Sequence, residues 1–422
     1  MICKFTVKNF LAFADEVELD FYANMNIKRF ECNYVKRANK NILKTVGFYG
    51  PNNTGKTCIL KALRILRILM LNEIPVTESF INAFANKGEI TSFSVEYFIN
   101  GNFYSYSLDY NSVTKRYEKE KLELKYSKDK SNVGEKIFER SGTKLTWIGI
   151  NSKFTKGDVL NLFSPSFPFM LMLNDTDDEK MNKAKKDYIE FAQSLTLIKM
   201  DSPINIVKTI NLLQTDDKAV KFIKEFVKNC DLHIEDFGFN NDVVSDANID
   251  DKIRIALSNP TFSKESLKIY SKHNGYVVPS IFFDSVGTLK LIALSGYIYE
   301  ALHFGKVLLI DEIDSSLHHI LTKSIVAMFT NILNDKAQLL FSTQDALLLN
   351  LKELFRKDQI WLVDIYDKCS SKIYRMSDNF TSRSDNGIRG DENITDYYLK
   401  GQFGSIPTPN LFDSLAEAVE DD

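Results

Sequence analysis

The run Gly50-Pro51-Asn52-Asn53-Thr54-Gly55-Lys56-Thr57 matches GxxxxGK[ST] at every fixed position. Such a loop works only where a strand enters it and a helix leaves it. Both neighbours are present. Residues 42–49 read as a short apolar strand, and Leu60, Leu63, Leu66 and Leu69 recur at helical spacing over 56–72. In this frame the glycines let backbone N–H groups curl around phosphate oxygens, and the helix N-terminus adds its positive dipole end. Lys56 is placed to reach the β- and γ-phosphates of a nucleotide, and Thr57 to offer a hydroxyl to Mg²⁺. Gly50, Asn52, Asn53, Thr54, Gly55, Lys56, Thr57 and Cys58 form the expected nucleotide-binding set.

A second string has its own chemistry. Val307-Leu308-Leu309-Ile310-Asp311-Glu312 is a buried strand that ends in two carboxylates. Asp311 can hold Mg²⁺ through water, and Glu312 is placed to polarise an attacking water as general base. Three shorter strings are weaker alone. Asp284-Ser285-Val286-Gly287-Thr288 opens a helical pattern, and reads either as an anion site or as a serine N-cap that needs no ligand. Asp314-Ser315-Ser316-Leu317-His318 follows the acidic strand. Leu339-Leu340-Phe341-Ser342-Thr343-Gln344-Asp345 is an apolar strand with a polar end. By position, both could line the site. His319 reads as a surface residue of the next helix.

Apolar strands at 277–283, 307–310, 337–342 and 359–365, with helical patterns between them, predict a mostly parallel sheet and an α/β fold. Alternation over 1–21 predicts a hairpin, and alternation over 91–125 around Asn100-Gly101 predicts an antiparallel sheet. Helical stretches near 188–195 and 220–227 suggest a helical insertion. Residues 240–252 read as a polar loop, and 413–422 as a frayed acidic tail. The division expected is 1–155 for an N-terminal lobe with the β-subdomain, 156–265 for a largely helical insertion or lid, and 266–422 for a C-terminal lobe. There is no internal repeat and no long heptad array.

Composition excludes several classes. Hydrophobic residues at 44% rule out wholesale disorder. With 53 Lys+Arg against 56 Asp+Glu, the chain has no global basic field, so nucleic acid is not indicated as a partner by charge. The five cysteines form no CxxC pair, which suits reduced thiols. No apolar run approaches the ~18–20 residues that span a bilayer, and the N-terminus lacks a signal peptide. A cytoplasmic globular protein with no membrane partner is expected.

The order of these motifs resembles the ABC-class ATPases of the RecF, SMC and OLD type. More narrowly it resembles the short stand-alone ATPases of bacterial anti-phage and abortive-infection operons. The opening Phe5-x-Val7-x-Asn9-Phe10-Leu11-Ala12-Phe13 is typical of that group. So are Arg389-Gly390-Asp391-Glu392-Asn393-Ile394 and Tyr398-Leu399-x-Gly401-x-Phe403-Gly404-x-Ile406-Pro407 near the end. The resemblance implies an ATPase head with ATP and Mg²⁺ as cofactors. Asp311 and Glu312 would end its Walker B strand. Asp314, Ser315, Leu317 and His318 would form its D-loop. Ser285, Gly287 and Thr288 would be a signature acting in trans across a head-to-head dimer. The partners implied are a second copy of the chain and an effector, such as a nuclease or toxin from the same operon. Gln344 stands where the group usually has a histidine. A glutamine hydrogen-bonds but carries no proton or positive charge, which implies slow hydrolysis.

Two alternatives remain. An OLD-like nuclease in cis needs a metal-binding module after the head, but beyond Asp345 there is no DxD, only Asp364 and Asp367 spaced DxxD. A RecF-like DNA binder could use Lys36, Arg37, Lys40 and Lys44, or Lys115, Arg116, Lys119 and Lys121, although such runs are also ordinary solvated faces.

Overall fold

The computed structural model describes residues 1–73, 79–126, 134–148, 164–173, 178–202, 204–230, 232–239, 267–349, 352–365, 370–379 and 394–404. Cys369, the loop 240–252, the string 389–393, Ile406, Pro407 and the tail 413–422 lie outside the described residues.

The phosphate-loop sheet has six strands in the order β11-β15-β16-β5-β17-β18. These are β11 (Leu195–Lys199), β15 (Val307–Asp311), β16 (Gln338–Thr343), β5 (Thr45–Tyr49), β17 (Ile360–Ile365) and β18 (Ser371–Arg375). The first five run parallel, and β18 turns back antiparallel at the edge. A parallel sheet is covered on both faces, so its strands are apolar throughout. In β15, Val307 and Leu309 join one core while Leu308 and Ile310 join the other. In β17, Trp361 and Val363 are divided from Ile360 and Leu362 in the same way.

The first core lies beneath a seven-stranded antiparallel sheet of order β10-β9-β8-β7-β6-β1-β2. Its strands are β1 (Ile2–Lys8), β2 (Val17–Asp20), β6 (Ile90–Ile99), β7 (Asn102–Asn111), β8 (Arg116–Tyr126), β9 (Glu135–Ser141) and β10 (Lys144–Ile148). Asn100 and Gly101 both have positive φ, 48° and 84°, as the tight turn between β6 and β7 requires. Helices α1 (Lys56–Leu71) and α2 (Glu179–Ser194) contribute to the same core. The second core is built on the opposite face by α3 (Val207–Thr215), α4 (Asp217–Lys228), α5 (Val286–Phe304) and α6 (His319–Thr330). Two small sheets complete the described structure: β3 (Tyr34–Arg37) with β4 (Lys40–Leu43), and β12 (Asp236–Phe239), β13 (Ile269–His273) and β14 (Tyr276–Pro279).

The α/β fold with a mostly parallel phosphate-loop sheet and an antiparallel subdomain is as expected, but four elements differ from the sequence reading. The strand expected at 42–49 breaks at Lys44 into β4 and β5. The stretch 277–283 is not in the parallel sheet: β14 is the edge of the small antiparallel sheet, and Ser280–Phe283 is a helical turn. Its place beside β15 is taken by β11, which comes from inside the stretch expected to be helical. The link from β16 to β17 contains two 3-10 turns, Ala346–Leu348 and Lys357–Gln359, and β17 pairs with β5 rather than β16. Among the described residues no helix is long and apolar enough to cross a membrane.

Candidate functional site

Strand β5 ends at Tyr49, and α1 begins at Lys56. The loop between them is held by its own polar groups. Thr54 Oγ1 donates to the Pro51 carbonyl at 2.9 Å. Lys56 Nζ, nearly buried, donates to the carbonyls of Gly50 and Pro51, each at 2.6 Å. Asn53 and Gly55 are left-handed at φ 63° and 100°, a backbone shape that turns successive N–H groups toward a common centre. At Gly55 a side chain would also crowd the Ala12 methyl, 2.9 Å from an ideal Cβ. Asn52 and Asn53 are exposed. The Cys58 side chain packs against the first core, so only its backbone is offered to the loop.

The two strongest motifs meet. Thr57 Oγ1 donates to Asp311 Oδ1 at 3.0 Å across 254 positions of sequence. The same oxygen accepts from Ser342 Oγ at 2.5 Å, and Ser342 Oγ accepts from the Glu312 N–H at 2.8 Å. Thus β16 fixes both acidic residues at the end of β15. Glu312 sits at φ 53°, a left-handed conformation uncommon for a residue with a side chain. Its carboxyl titrates above the usual carboxylate range. Burial is the largest cause, followed by the charges of Asp311, Asp201 and Asp314, with Lys56 acting the other way. Burial pulls Lys56 below the ordinary lysine value, against the opposing charges of Glu312, Asp314 and Asp311. Two buried polar atoms nearby have no hydrogen-bond partner, Asp314 Oδ1 and the Tyr49 hydroxyl. Burial, then Asp345 and Asp314, holds the Tyr49 phenol well above its usual value.

The signature candidates lie against the D-loop candidates. Ser285 caps α5, its Oγ accepting from the Thr288 N–H at 3.1 Å, with the Thr288 hydroxyl 2.9 Å away. At Gly287 an ideal Cβ would stand 2.6 Å from the Ser316 carbonyl oxygen, so only glycine fits this close approach. Ser316 is itself left-handed at φ 66°. Ser315 N–H donates to the Glu312 carbonyl at 2.8 Å, and Leu317 N–H to that of Asp314 at 3.3 Å. His318 caps α6 through Nδ1, 3.3 Å from the Ile320 N–H, and His319 is the first residue of that helix. Among the described residues no hydrogen bond links Ser285 or Thr288 to the phosphate loop. Gln344 is exposed just past the end of β16.

Sequence reading missed three contributors. Lys290 of α5 is buried and donates to Ser316 Oγ at 3.0 Å and to the Met200 carbonyl. Asp201 follows β11, a strand that reading did not find. Ser342 lies within the apolar string 339–345, where the sequence alone marks no single residue. Its only signal was a pair of hydroxyl residues ending an apolar strand.

The donors around Thr57 and Asp311 are hard oxygens, a set that suits Mg²⁺ shared with substrate phosphates. Among the described residues no cluster of three or more His, Cys, Asp or Glu side chains could hold a metal.

The head domain of SMC from Thermotoga maritima is 12% identical, covering 89% of this chain and 98% of that one at a TM-score of 0.43. An Smc head bound to the C-winged helix domain of ScpA is 13% identical, covering 88% and 97% at 0.47. No curated protein matches the sequence. A family profile described as "AAA domain, putative AbiEii toxin, Type IV TA system" matches residues 46–350, from β5 through the phosphate loop and the acidic strand to just past β16. That span holds both motifs that meet at Thr57 and Asp311, and the chain belongs to this family of AAA-domain P-loop ATPases.

Proposed function

We propose that this protein binds ATP with Mg²⁺, hydrolyses it slowly, and uses the two states to join and part a head-to-head dimer that controls an effector in anti-phage defence. The observation that carries the reading is the 3.0 Å bond from Thr57 to Asp311, with Glu312 next in line. Thr57 and Asp311 would hold the metal, which when bound supplies charge neutralisation at the phosphates. Lys56 would leave the loop carbonyls for phosphate oxygens, a trade that favours a buried cation paired with an anion. Glu312, with its raised pKa, would take the proton of the attacking water. Gln344 would orient that water without accepting its proton.

The close approach of Gly287 to the segment 314–318 of its own chain, rather than to its own phosphate loop, supports a role in trans. In that arrangement Ser285, Gly287 and Thr288 cap the γ-phosphate held by the other subunit, and Asp314, Ser315, Leu317 and His318 line the seam. ATP then favours the closed state by its differential affinity for it. The family description, which names a toxin and a Type IV TA system, supports a place beside a partner gene product. A DNA-binding role draws less support, since Lys119 and Lys121 of the second basic run are paired with Asp109 and Glu123.

The test is Glu312→Gln. With ATP and Mg²⁺ this variant is expected to elute as a dimer and to retain unhydrolysed ATP, while the parent returns to monomer. A variant that neither dimerises nor keeps ATP overturns the reading.

A further inference from the structure

The parallel strands of the phosphate-loop sheet have a second end. β11, β15 and β16 run toward Lys199, Asp311 and Thr343, and they start together on the opposite edge. There a cleft of about 550 Å³ opens at the junction with the β6–β7 hairpin and the end of α2. That volume lies in the range of small-molecule sites, roughly 300–1,000 Å³. Its chemistry is mixed in a particular way. Three cations line it, Arg37, Lys306 and Lys336, against one carboxylate, Glu190. Arg37 belongs to the first basic run of the sequence, which the ATPase reading leaves unused.

The charges are not equally free. Glu300 pairs with Lys306 at 2.8 Å, and Glu190 accepts from Asn100 at 2.7 Å. Lys336 has no ion pair among the described residues. Arg37 donates to the Lys36 and Asp335 carbonyls and is in the field of the Asp335 carboxylate, with which it forms no direct ion pair among the described residues. Two rings complete the lining. Phe98 lies under the Arg37 guanidinium at 5.6 Å, and Phe304 is 58% exposed, held edge-on by His303 at 4.7 Å. Gln193 also lines the cleft. Cations without a carboxylate ion pair, Arg37 and Lys336, suit phosphate, an exposed ring suits a stacked base, and a glutamine suits a base edge.

We propose that this cleft binds a small phosphorylated nucleotide, with the phosphate on Arg37 and Lys336 and the base on Phe304, as a site separate from the phosphate loop. Position gives it a route to the ATPase centre. Lys306 immediately precedes the strand that ends at Asp311, and Lys336 lies two residues before the strand that carries Ser342. The proposal stands whether or not the dimer mechanism does.

The experiment is a calorimetric titration of the full chain with its phosphate loop saturated by ATPγS. The probes are AMP, GMP, CMP, UMP and the 5′-phosphorylated dinucleotide pApA. At least one is expected to bind one-to-one. Arg37→Glu with Lys336→Glu is expected to weaken it tenfold or more, and Phe304→Ala by about five- to 100-fold. Lys336 and Phe304 are exposed and Arg37 is half-buried, and unchanged melting of the variants confirms that the fold is kept. Absence of binding by every probe overturns the proposal, as does binding indifferent to these substitutions. Inorganic phosphate binding as tightly as the best nucleotide overturns the base-recognition half and with it the assignment. A 20-nucleotide single strand binding more than tenfold tighter than pApA replaces it with a nucleic-acid surface.

Discussion

At the scale of single residues, Glu312 is where the geometry asks most of one side chain. Its backbone is left-handed, and its carboxyl is raised by burial and by three neighbouring carboxylates. A general base must be ionised to work. Because the pKa is raised, the base is lost at a higher pH than an ordinary glutamate, whose value is ~4.3. The kcat/KM profile for ATP should therefore carry an acid limb with a midpoint above that value, and Glu312→Gln should abolish that limb along with a 10²–10⁴-fold share of the rate. A limb at the ordinary glutamate value would remove Glu312 from the role of base. Ser342 makes a separate prediction. Its hydroxyl holds both Asp311 Oδ1 and the Glu312 N–H inside a buried site. Ser342→Ala should cost about 1–3 kcal/mol of stability through the donor left unpaired. It should also raise the Mg²⁺ concentration needed for half-maximal activity, which a metal titration reads.

At the scale of elements, the close approach of α5 to the D-loop gives a test that spares nucleotide binding. Gly287→Ala puts a methyl on the Ser316 carbonyl, a backbone atom that cannot swing aside. Lys290→Met removes the other tie, the bond to Ser316 Oγ. Each variant should bind ATP as the parent does, since neither touches the phosphate loop, yet lose ATP-dependent dimerisation. Equal loss of ATP binding would show that the contact supports the phosphate loop instead. This scale also shows what the sequence made legible. Strand β15 was readable because four apolar residues end in two carboxylates, and α1 because four leucines keep helical spacing. Strand β11 was not. Leu195-Thr196-Leu197-Ile198-Lys199 follows directly on α2 with no turn residue between, so its apolar positions read as more helix. Missing that strand also hid Asp201, one of the charges on Glu312. The Ser285 string was readable as a cap, but its contact with Ser316 depends on a tertiary approach that no local pattern encodes.

At the scale of the whole molecule, the first core runs unbroken from the antiparallel sheet through α1 to the underside of the phosphate-loop sheet. A fault in it far from the nucleotide should therefore lower the stability of the folded unit as a whole. The most exacting place to put one is Arg140. It is fully buried, its Nε donates to Glu120 at 2.6 Å, and it also reaches the carbonyls of Ser164 and Phe167. Glu120 accepts in turn from the Tyr106 hydroxyl and the Phe169 N–H. Burial pushes the Glu120 carboxyl up, and the Arg140 charge is the largest force holding it down. Removing one member strands the other. Arg140→Met should cost about 3–5 kcal/mol, seen as a lower urea midpoint at unchanged m-value. Replacing both, as Glu120→Gln with Arg140→Met, should recover part of that loss, because no buried charge remains unpaired. If the single and double variants lose stability equally, the cost lies in packing and the carbonyl contacts rather than in the stranded carboxylate. Saturating ATP should raise the midpoint of both variants by the same amount as in the parent, since the phosphate loop binds only the folded chain. A smaller shift in the single variant would show that the damage reaches the nucleotide site through α1 or through the strands β5 and β15 that share this core.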